Sequence, residues 1–319
     1  MKFPLLKFVR EGGIGKTLAK ILPDAPWASY LLSYRVFKRT YGFRPRLNHP
    51  RTLNEWLFAR KVALPKTISF APWVDKHLAK ESMEKTMKGA AVECHVPKTL
   101  HYATTADDSF FDSVVPRCVI KGTHGSGMTI LVKEPRRLTD EEKASIRHWL
   151  TVEYFWGSRE PSYRHLVPGV IAEEFLPCNG NDLVPEDYKF FCFRGKVAFI
   201  QHDTGRYVDH QRCLYSTDWQ RLPISLQYES YSKAAPAPEG LANMLAIAER
   251  LSHDQNFVRV DLYQTDKGIY FGEMTFFPGS GLERFHPMSF DAEICQQWLQ
   301  KPATDKNFVA LTLSTSSLT

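Results

Sequence analysis

Phe257–Met274 reads FVRVDLYQTDKGIYFGEM, and its alternation decides the kind of fold this chain adopts. Apolar, β-branched and aromatic residues flank Asp266-Lys267-Gly268, the composition of a β-hairpin closed by a tight turn. A turn centred on Lys267 sets Asp261 across from Glu273 and Arg259 across from Thr275. With a repeat of two, these four residues share one face, and Val258, Val260, Leu262 and Met274 share the other. Two carboxylates opposed at about 5 Å repel unless positive charge lies between them. A hard, oxygen-seeking cation such as Mg²⁺ answers this, particularly with phosphate oxygens in its shell. Arg259 acting alone also answers it, and a bulge would shift the register and remove the opposition.

Working upstream, DYKFFCFRGKVAFIQHDT (187–204) reads as two strands folded at Arg194-Gly195-Lys196. Asp187 and Lys189 share a face there, either as a structural ion pair or set for a polyphosphate. VIAEEFLP (170–177) is an apolar strand followed by Glu173, Glu174, Phe175, Leu176 and a proline break. CVIKGTHGSGMTILV (118–132) reads as strand, glycine loop, strand. Lys121 ends the first strand, and the Thr123, His124, Gly125, Ser126, Gly127 loop offers backbone N–H groups to phosphates, or closes a plain hairpin. REGGIGKT (10–17) is no such cradle, because a phosphate loop needs glycine where Arg10 stands.

Helices complete the outline. Residues 1 to about 70 are helical between Pro23, Pro26, Pro45 and Pro50, with Thr52 and Glu55 spaced for a capping box. Further helices are expected from about Val74 to Gly89, from Thr139 through Trp156, and over about 238–253. VPKTLHYA (96–103) reads as a short strand and ADDSFFDS (106–113) as a turn into a helix. The tail from Lys301 to Thr319 is polar and expected to be loosely held.

These pieces, in this order, resemble the ATP-grasp ligases. Arg-x-Asp on one strand and Glu-x-Thr-x-x-Pro-Gly on the next are similar to the pattern of D-alanine–D-alanine ligases. LNHPRTLNEWL, WVDKHLAK, VIKGTHGSG, GVIAEEFL, DYKFFCFRGKVAFIQHDTGRY and YFGEMTFFPGSGLERF more closely resemble the TupA-like ATP-grasp family, over about residues 40–300. The resemblance implies an α+β ATP-grasp fold, two subdomains gripping ATP, with a helix-rich N-terminal extension. It implies a helical region at 1–70, a reduced pre-ATP-grasp segment at 71–118, a small subdomain at 119–176, a large subdomain at 177–300 and a tail at 301–319.

It also implies roles. Lys76, Lys121 and Lys189 contact the phosphates of ATP beneath the Thr123–Gly127 loop. Glu173, Glu174, Phe175 and Leu176 line the adenine, and Asp187 meets the ribose. Asp261 and Glu273 hold Mg²⁺, with Thr275 standing where the family has asparagine. Arg259, Lys189 and Ser280 are the catalytic groups. Gly279, Ser280 and Gly281 form a turn that offers N–H groups to a substrate carboxylate, or is simply the strand exit. HDTGRYVDHQR (202–212) carries His202, Asp203, Arg206 and Arg212, suited to an acidic acceptor, although a second metal site or a solvated loop also accommodates it.

The implied activity is an ATP- and Mg²⁺-dependent carboxylate–amine ligase. Its expected partners are a carboxylate-bearing sugar or surface-polysaccharide precursor and an amino acid or small amine. A sugar phosphotransferase and a non-catalytic polyanion binder are the rivals. Composition bears on both. The chain has 319 residues, 43% of them apolar, and a net charge of +6, which favours anionic ligands without choosing among them. Basic residues are not interleaved with aromatics and no nucleic-acid motif occurs, so nucleic acid is not expected. No apolar run approaches a membrane span, and no secretory signal is seen. The basic N-terminus suits either an anionic membrane surface or packing on the domain. Six scattered cysteines read as reduced thiols, and a cytoplasmic location, at most at the inner face of the membrane, follows.

Overall fold

The structure is a computed structural model describing residues 22–176, 185–204, 211–228, 230 and 234–299. The expectations for the basic N-terminus, the Arg10–Thr17 stretch, Arg206 and the tail lie outside the described residues. The chain forms two compact units: one from 22–69, 153–164 and 277–299, the other from 70–152 and 165–276.

In the first unit, helix α1 (Pro26–Tyr41) starts on a proline and stops at Gly42, whose left-handed φ of 81° turns its N–H back onto Lys38 O. Helix α2 (Leu53–Ala63) is capped by Thr52, whose side chain accepts from Glu55 N at 3.0 Å. Glu55 does not close the expected box; its carboxylate instead takes the backbone N–H groups of Arg46 and Arg51, at 3.1 and 2.7 Å. Phe37, Tyr41, Phe58 and Val62 form the core between the two helices, with Phe37 and Phe58 ring centroids 5.1 Å apart.

The second unit contains two large antiparallel sheets, beside a two-stranded pairing of Val114–Val115 with Arg136–Arg137. Strands β1 (Thr99–Ala103), β2 (Cys118–Gly122), β3 (Thr129–Val132) and β4 (Val170–Glu174) make one, in the order β1-β4-β2-β3. Strands β5 (Asp187–Phe193), β6 (Lys196–Thr204), β7 (Gln211–Tyr215), β8 (Val258–Thr265) and β9 (Gly268–Thr275) make the other, in the order β9-β8-β5-β6-β7. The helix Asp140–Leu150 has the full capping box at Thr139 and Glu142, and packs Ile146 into the core of Cys118, Ile120, Val132 and Ala172. It ends at Leu150 rather than running through to Trp156: β-branched Thr151 and Val152 follow, and Tyr154–Ser158 is a separate helix. The helix expected from Val74 is likewise divided, into Ala71–Val74 and Leu78–Met87. Asp75 breaks it, its Oδ1 accepting from His77 N and Leu78 N at 2.9 and 3.1 Å.

The β8–β9 hairpin pairs Asp261 with Glu273 and Arg259 with Thr275, as the sequence predicts, by a different route. Thr265 pairs with Gly268, so the turn centre lies between Asp266 and Lys267, half a residue from Lys267. A bulge beyond Asp261 restores the count. Gly272 sits in that bulge, where an added Cβ would lie 2.9 Å from Asp261 O. The apolar face is as expected, with Val258, Val260, Leu262 and Met274 buried.

Candidate active site

Strand register, not loop geometry, gathers the charged residues of the second unit. Across the five-stranded sheet Glu273 pairs with Asp261, Asp261 with Lys189, and Lys189 with Gln201. The next row on the same face pairs Asp187 with Asp203 and Asp203 with Arg212. These groups would be costly to bury singly, and each is neutralised by a neighbour. Lys189 Nζ lies 2.8 Å from Asp187 Oδ2, 3.4 Å from Asp203 Oδ2 and 3.9 Å from Asp261 Oδ2. Arg212 forks onto Asp203 at 2.7 and 3.3 Å. That fork is therefore directed at the protein's own carboxylate.

Arg259 forks onto Asp261, Nε to Oδ1 and Nη2 to Oδ2 both at 2.7 Å, and Nη2 reaches Thr275 Oγ1 at 3.1 Å and Glu273 Oε1 at 3.5 Å. Thr275 Oγ1 in turn donates to Glu273 Oε1 at 3.1 Å. Burial pushes the Asp261 carboxyl up to about 6, against the pull of Arg259 and Lys189. Glu273 keeps 45% of its side chain exposed. The donor set fits Mg²⁺ of one kind only. Among the described residues no group of three or more His, Cys, Asp or Glu side chains forms a cage. Two carboxylates with hard oxygens suit an ion that keeps waters and takes phosphate oxygens.

On the other sheet, Glu173 is gripped from both sides. Lys121 Nζ lies 2.6 Å from its Oε2 and Lys80 Nζ 2.6 Å from its Oε1. Burial works against charge on Glu173, yet the two lysines hold its carboxyl below the usual range. Burial also opposes the Lys121 ammonium, and Glu173 with Glu273 and Asp187 raises it above an ordinary lysine. Lys76, lowered by burial, feels the same Glu273 and donates to Gly125 O at 2.6 Å. Lys121 of one sheet and Lys76 of the segment between the two helices thus both feel Glu273 of the other sheet. Glu174 pairs with Lys98 through both its N–H and its carboxylate. Phe175 lies under the Arg117 guanidinium at 4.5 Å, and Leu176 is half-buried.

The glycine loop is fixed by its own buried residues. Thr123 N donates to Gly169 O at 2.8 Å. Gly169 N donates to His124 Nδ1 at 3.3 Å, so Nε2 carries the proton that it donates to Trp149 O at 3.1 Å. Ser126 and Gly127 are the exposed tip, and Gly127 has a φ of 76°. Burial holds His124 below the ordinary imidazole value, favouring this neutral tautomer. A depressed histidine contributes stability that is full above about 6.5 and is lost as pH falls from there. An NMR titration of the full chain is expected to give His124 a pKa below free histidine, with Gly169 amide protection falling as it protonates. A pKa at or above that of free histidine would overturn the assignment.

Not every residue singled out in the sequence joins this face. His202 has the opposite parity to Asp203, and stacks on Tyr188 at 4.7 Å while bonding Glu186 at 3.0 Å. Gly279, Ser280 and Gly281 belong to the first unit, where Lys61 Nζ donates to Ser280 Oγ at 2.7 Å. Sequence reasoning missed Lys61 and Lys80. Lys61 had a signal: it continues the Leu53, Leu57 spacing of a buried helix face with a charge.

The sequence matches the TupA-like ATP-grasp family over residues 56–299, and the chain belongs to that family. Its fold is accordingly the ATP-grasp fold. No curated protein matches the chain. Among solved structures it is similar to the ATP-grasp ligase PsnB complexed with minimal precursor, at 12% identity and a TM-score of 0.33, covering 63% of this chain and 51% of that one. It is similar to D-alanine–D-alanine ligase from Bacillus anthracis complexed with ATP, at 14% identity and 0.34, covering 63% and 54%. N5-carboxyaminoimidazole ribonucleotide synthetase from Thermus thermophilus gives 16% identity and 0.36, covering 64% and 45%. The chain spans about half the length of these structures. Among the described residues no helix is long and apolar enough to cross a membrane.

Proposed function

We propose that the protein is an ATP- and Mg²⁺-dependent carboxylate–amine ligase that makes an amide through an acyl phosphate. Its substrate in this reading is a uronic acid of a surface polysaccharide or its precursor, joined to an amino acid or small amine. The observation that carries the reading is that Lys76 and Lys121 both feel Glu273, the strand partner of Asp261 and a neighbour of Arg259 at 3.5 Å, in one unit. Lysines without carboxylates would suit any polyanion; carboxylates without lysines would not suit a triphosphate.

In this reading Lys76, Lys121 and Lys189 take phosphate oxygens, and Glu173 through Leu176 with Asp187 take the nucleoside. Asp261 and Glu273, with Thr275 beside them, hold Mg²⁺, which supplies neutralisation of charge between the phosphates. Arg259 has its fork on Asp261 and its outer nitrogen toward Glu273, so it can follow charge building on a transferring phosphoryl group. The substrate carboxylate attacks the terminal phosphorus, ADP leaves, the amine attacks the acyl carbon, and phosphate departs with the amine proton lost to solvent or a base. The basic balance of the chain favours an acidic acceptor.

The test is to incubate the full chain with Mg-ATP, a panel of uronic acids and nucleotide-uronates, and hydroxylamine as the amine. ADP and hydroxamate released together on one carboxylate, and lost in Asp261→Asn, are expected. ADP with a stable phosphorylated sugar and no hydroxamate would make it a phosphotransferase. No nucleotide binding would leave a polyanion binder.

A further inference from the structure

The turn after strand β9 is held in the left-handed region at three successive residues, Gly279, Ser280 and Gly281, with φ of 52°, 63° and 71°. Serine seldom adopts that conformation, and something must over-determine it. The helices of the N-terminal segment do so. Tyr41 of α1 donates its hydroxyl to Gly281 O at 3.3 Å and Glu283 O at 3.1 Å. Asn54 of α2 donates to Glu283 O at 3.1 Å, and a Cβ at Gly281 would come within 3.1 Å of Leu57 Cβ. Lys61 of α2 completes the grip at Ser280 Oγ. All of these residues belong to the first unit.

The Lys61–Ser280 bond has a direction. Lys61 is 5% exposed, and an ammonium can only donate. Ser280 Oγ is therefore the acceptor, and the hydroxyl proton must point away from Lys61. Among the described residues no acceptor takes that proton. Ser280 and Gly279 are partly exposed. A buried cation and a partly exposed hydroxyl polarised by it are chemistry for an oxyanion.

We propose that Lys61 and Ser280 form a carboxylate-binding subsite, in which the Ser280 hydroxyl donates to the ligand and Lys61 fixes the direction of that donation. Ser280 is the contact; Lys61 is a positioning residue acting through it. The identity of the ligand as a substrate rests on the ligase reading, while the subsite itself does not. The N-terminal helices thereby become part of a binding site. Glu283 lies across Gly279, where an added Cβ would meet its Cδ at 2.8 Å. A carboxylate with an ammonium beside it, as in an amino acid, suits this turn better than a lone uronate carboxylate.

A pH signature follows from the direction of the bond. Burial pulls Lys61 down to about 8, with Glu160 opposing, while neighbouring Arg60 lies over the Trp56 and Phe277 rings. Above that value the neutral amine can accept the Ser280 proton, the hydroxyl turns inward, and its donation to the ligand ceases.

The experiment is calorimetry on the full chain without nucleotide, one pH unit either side of that value. The probes are L-alanine and glucuronate, with L-alaninamide and glucuronamide as uncharged-carboxyl controls. Binding of at least one carboxylate over its carboxamide is expected, weaker by about tenfold at the higher pH. Ser280→Ala and Lys61→Met are expected to lose about tenfold at the lower pH, and Lys61→Arg to keep the affinity without the pH drop. Ser280→Ala removes one oxygen and guards against a Lys61 variant that misfolds. No preference for carboxylate in the wild type, unchanged binding in Ser280→Ala, or a pH drop that persists in Lys61→Arg would overturn the subsite. The two readings fail separately. Carboxylate binding without ADP formation removes the ligase and leaves the subsite; hydroxamate formation with unaltered acceptor KM in Ser280→Ala does the reverse.

Discussion

Replacing Arg259 by lysine is expected to cut the rate of ADP formation by about 10²–10³, while ATP affinity changes by no more than about threefold. Arg259 reaches Asp261 with two nitrogens at 2.7 Å, and one of these extends to Thr275 and Glu273. A lysine ammonium retains the charge that separates Asp261 from Glu273, so the sheet is not left with two opposed carboxylates. It cannot fork, and it cannot hold Asp261 while presenting a second donor to developing charge. The loss should fall on kcat, because the interaction in question strengthens only as the phosphoryl group transfers. Alanine would confuse the result by leaving Asp261, already raised to about 6 by burial, with one fewer partner. The measurement pairs steady-state ADP release with equilibrium nucleotide binding and a thermal melt. A kcat within about threefold of wild type would remove Arg259 from the chemistry. A rate loss matched by an equal loss of ATP affinity would make it a binding residue.

The hairpin was legible because alternation and a turn tripeptide together fix which residues share a face. The pairing of Asp261 with Glu273 came out correctly although the turn centre did not, since the bulge at Gly272 adds back the half-residue. Nothing local announces that compensation, which depends on how closely Asp261 O approaches. The shared face of Asp187 and Lys189 was legible for the same reason as the hairpin. His202 and Asp203 adjoin in sequence, yet strand parity alone assigns them to opposite faces. Lys80 was not legible: its partner Glu173 is on another element, and a lysine on a helix is ordinary. Lys61 was legible only as an anomaly, a charge at a spacing set by Leu53 and Leu57. In both cases the missing information is the identity of a long-range partner, and periodicity carries none.

Lys189→Met is expected to destabilise the protein by about 3–5 kcal/mol, lowering the thermal midpoint by on the order of 10 °C. The side chains of Lys189, Asp187, Asp203 and Asp261 are each 4% exposed or less, so water cannot compensate the loss of the ammonium. Arg212 still neutralises Asp203 and Arg259 still neutralises Asp261. The cost therefore concentrates on Asp187, whose carboxylate loses a cation at 2.8 Å in a buried strand. Methionine fills nearly the same volume, which separates the electrostatic effect from a cavity. If that account holds, Asp187→Asn in the same chain recovers much of the loss, because a neutral amide no longer demands the cation, and the two changes are strongly non-additive. Additive effects, or a midpoint unmoved by Lys189→Met, would mean that the buried row is not held by this lysine. The same pair of variants bears on catalysis. If Lys189 also takes a phosphate oxygen, the double variant regains stability but not ATP affinity. If Lys189 is solely structural, both return together.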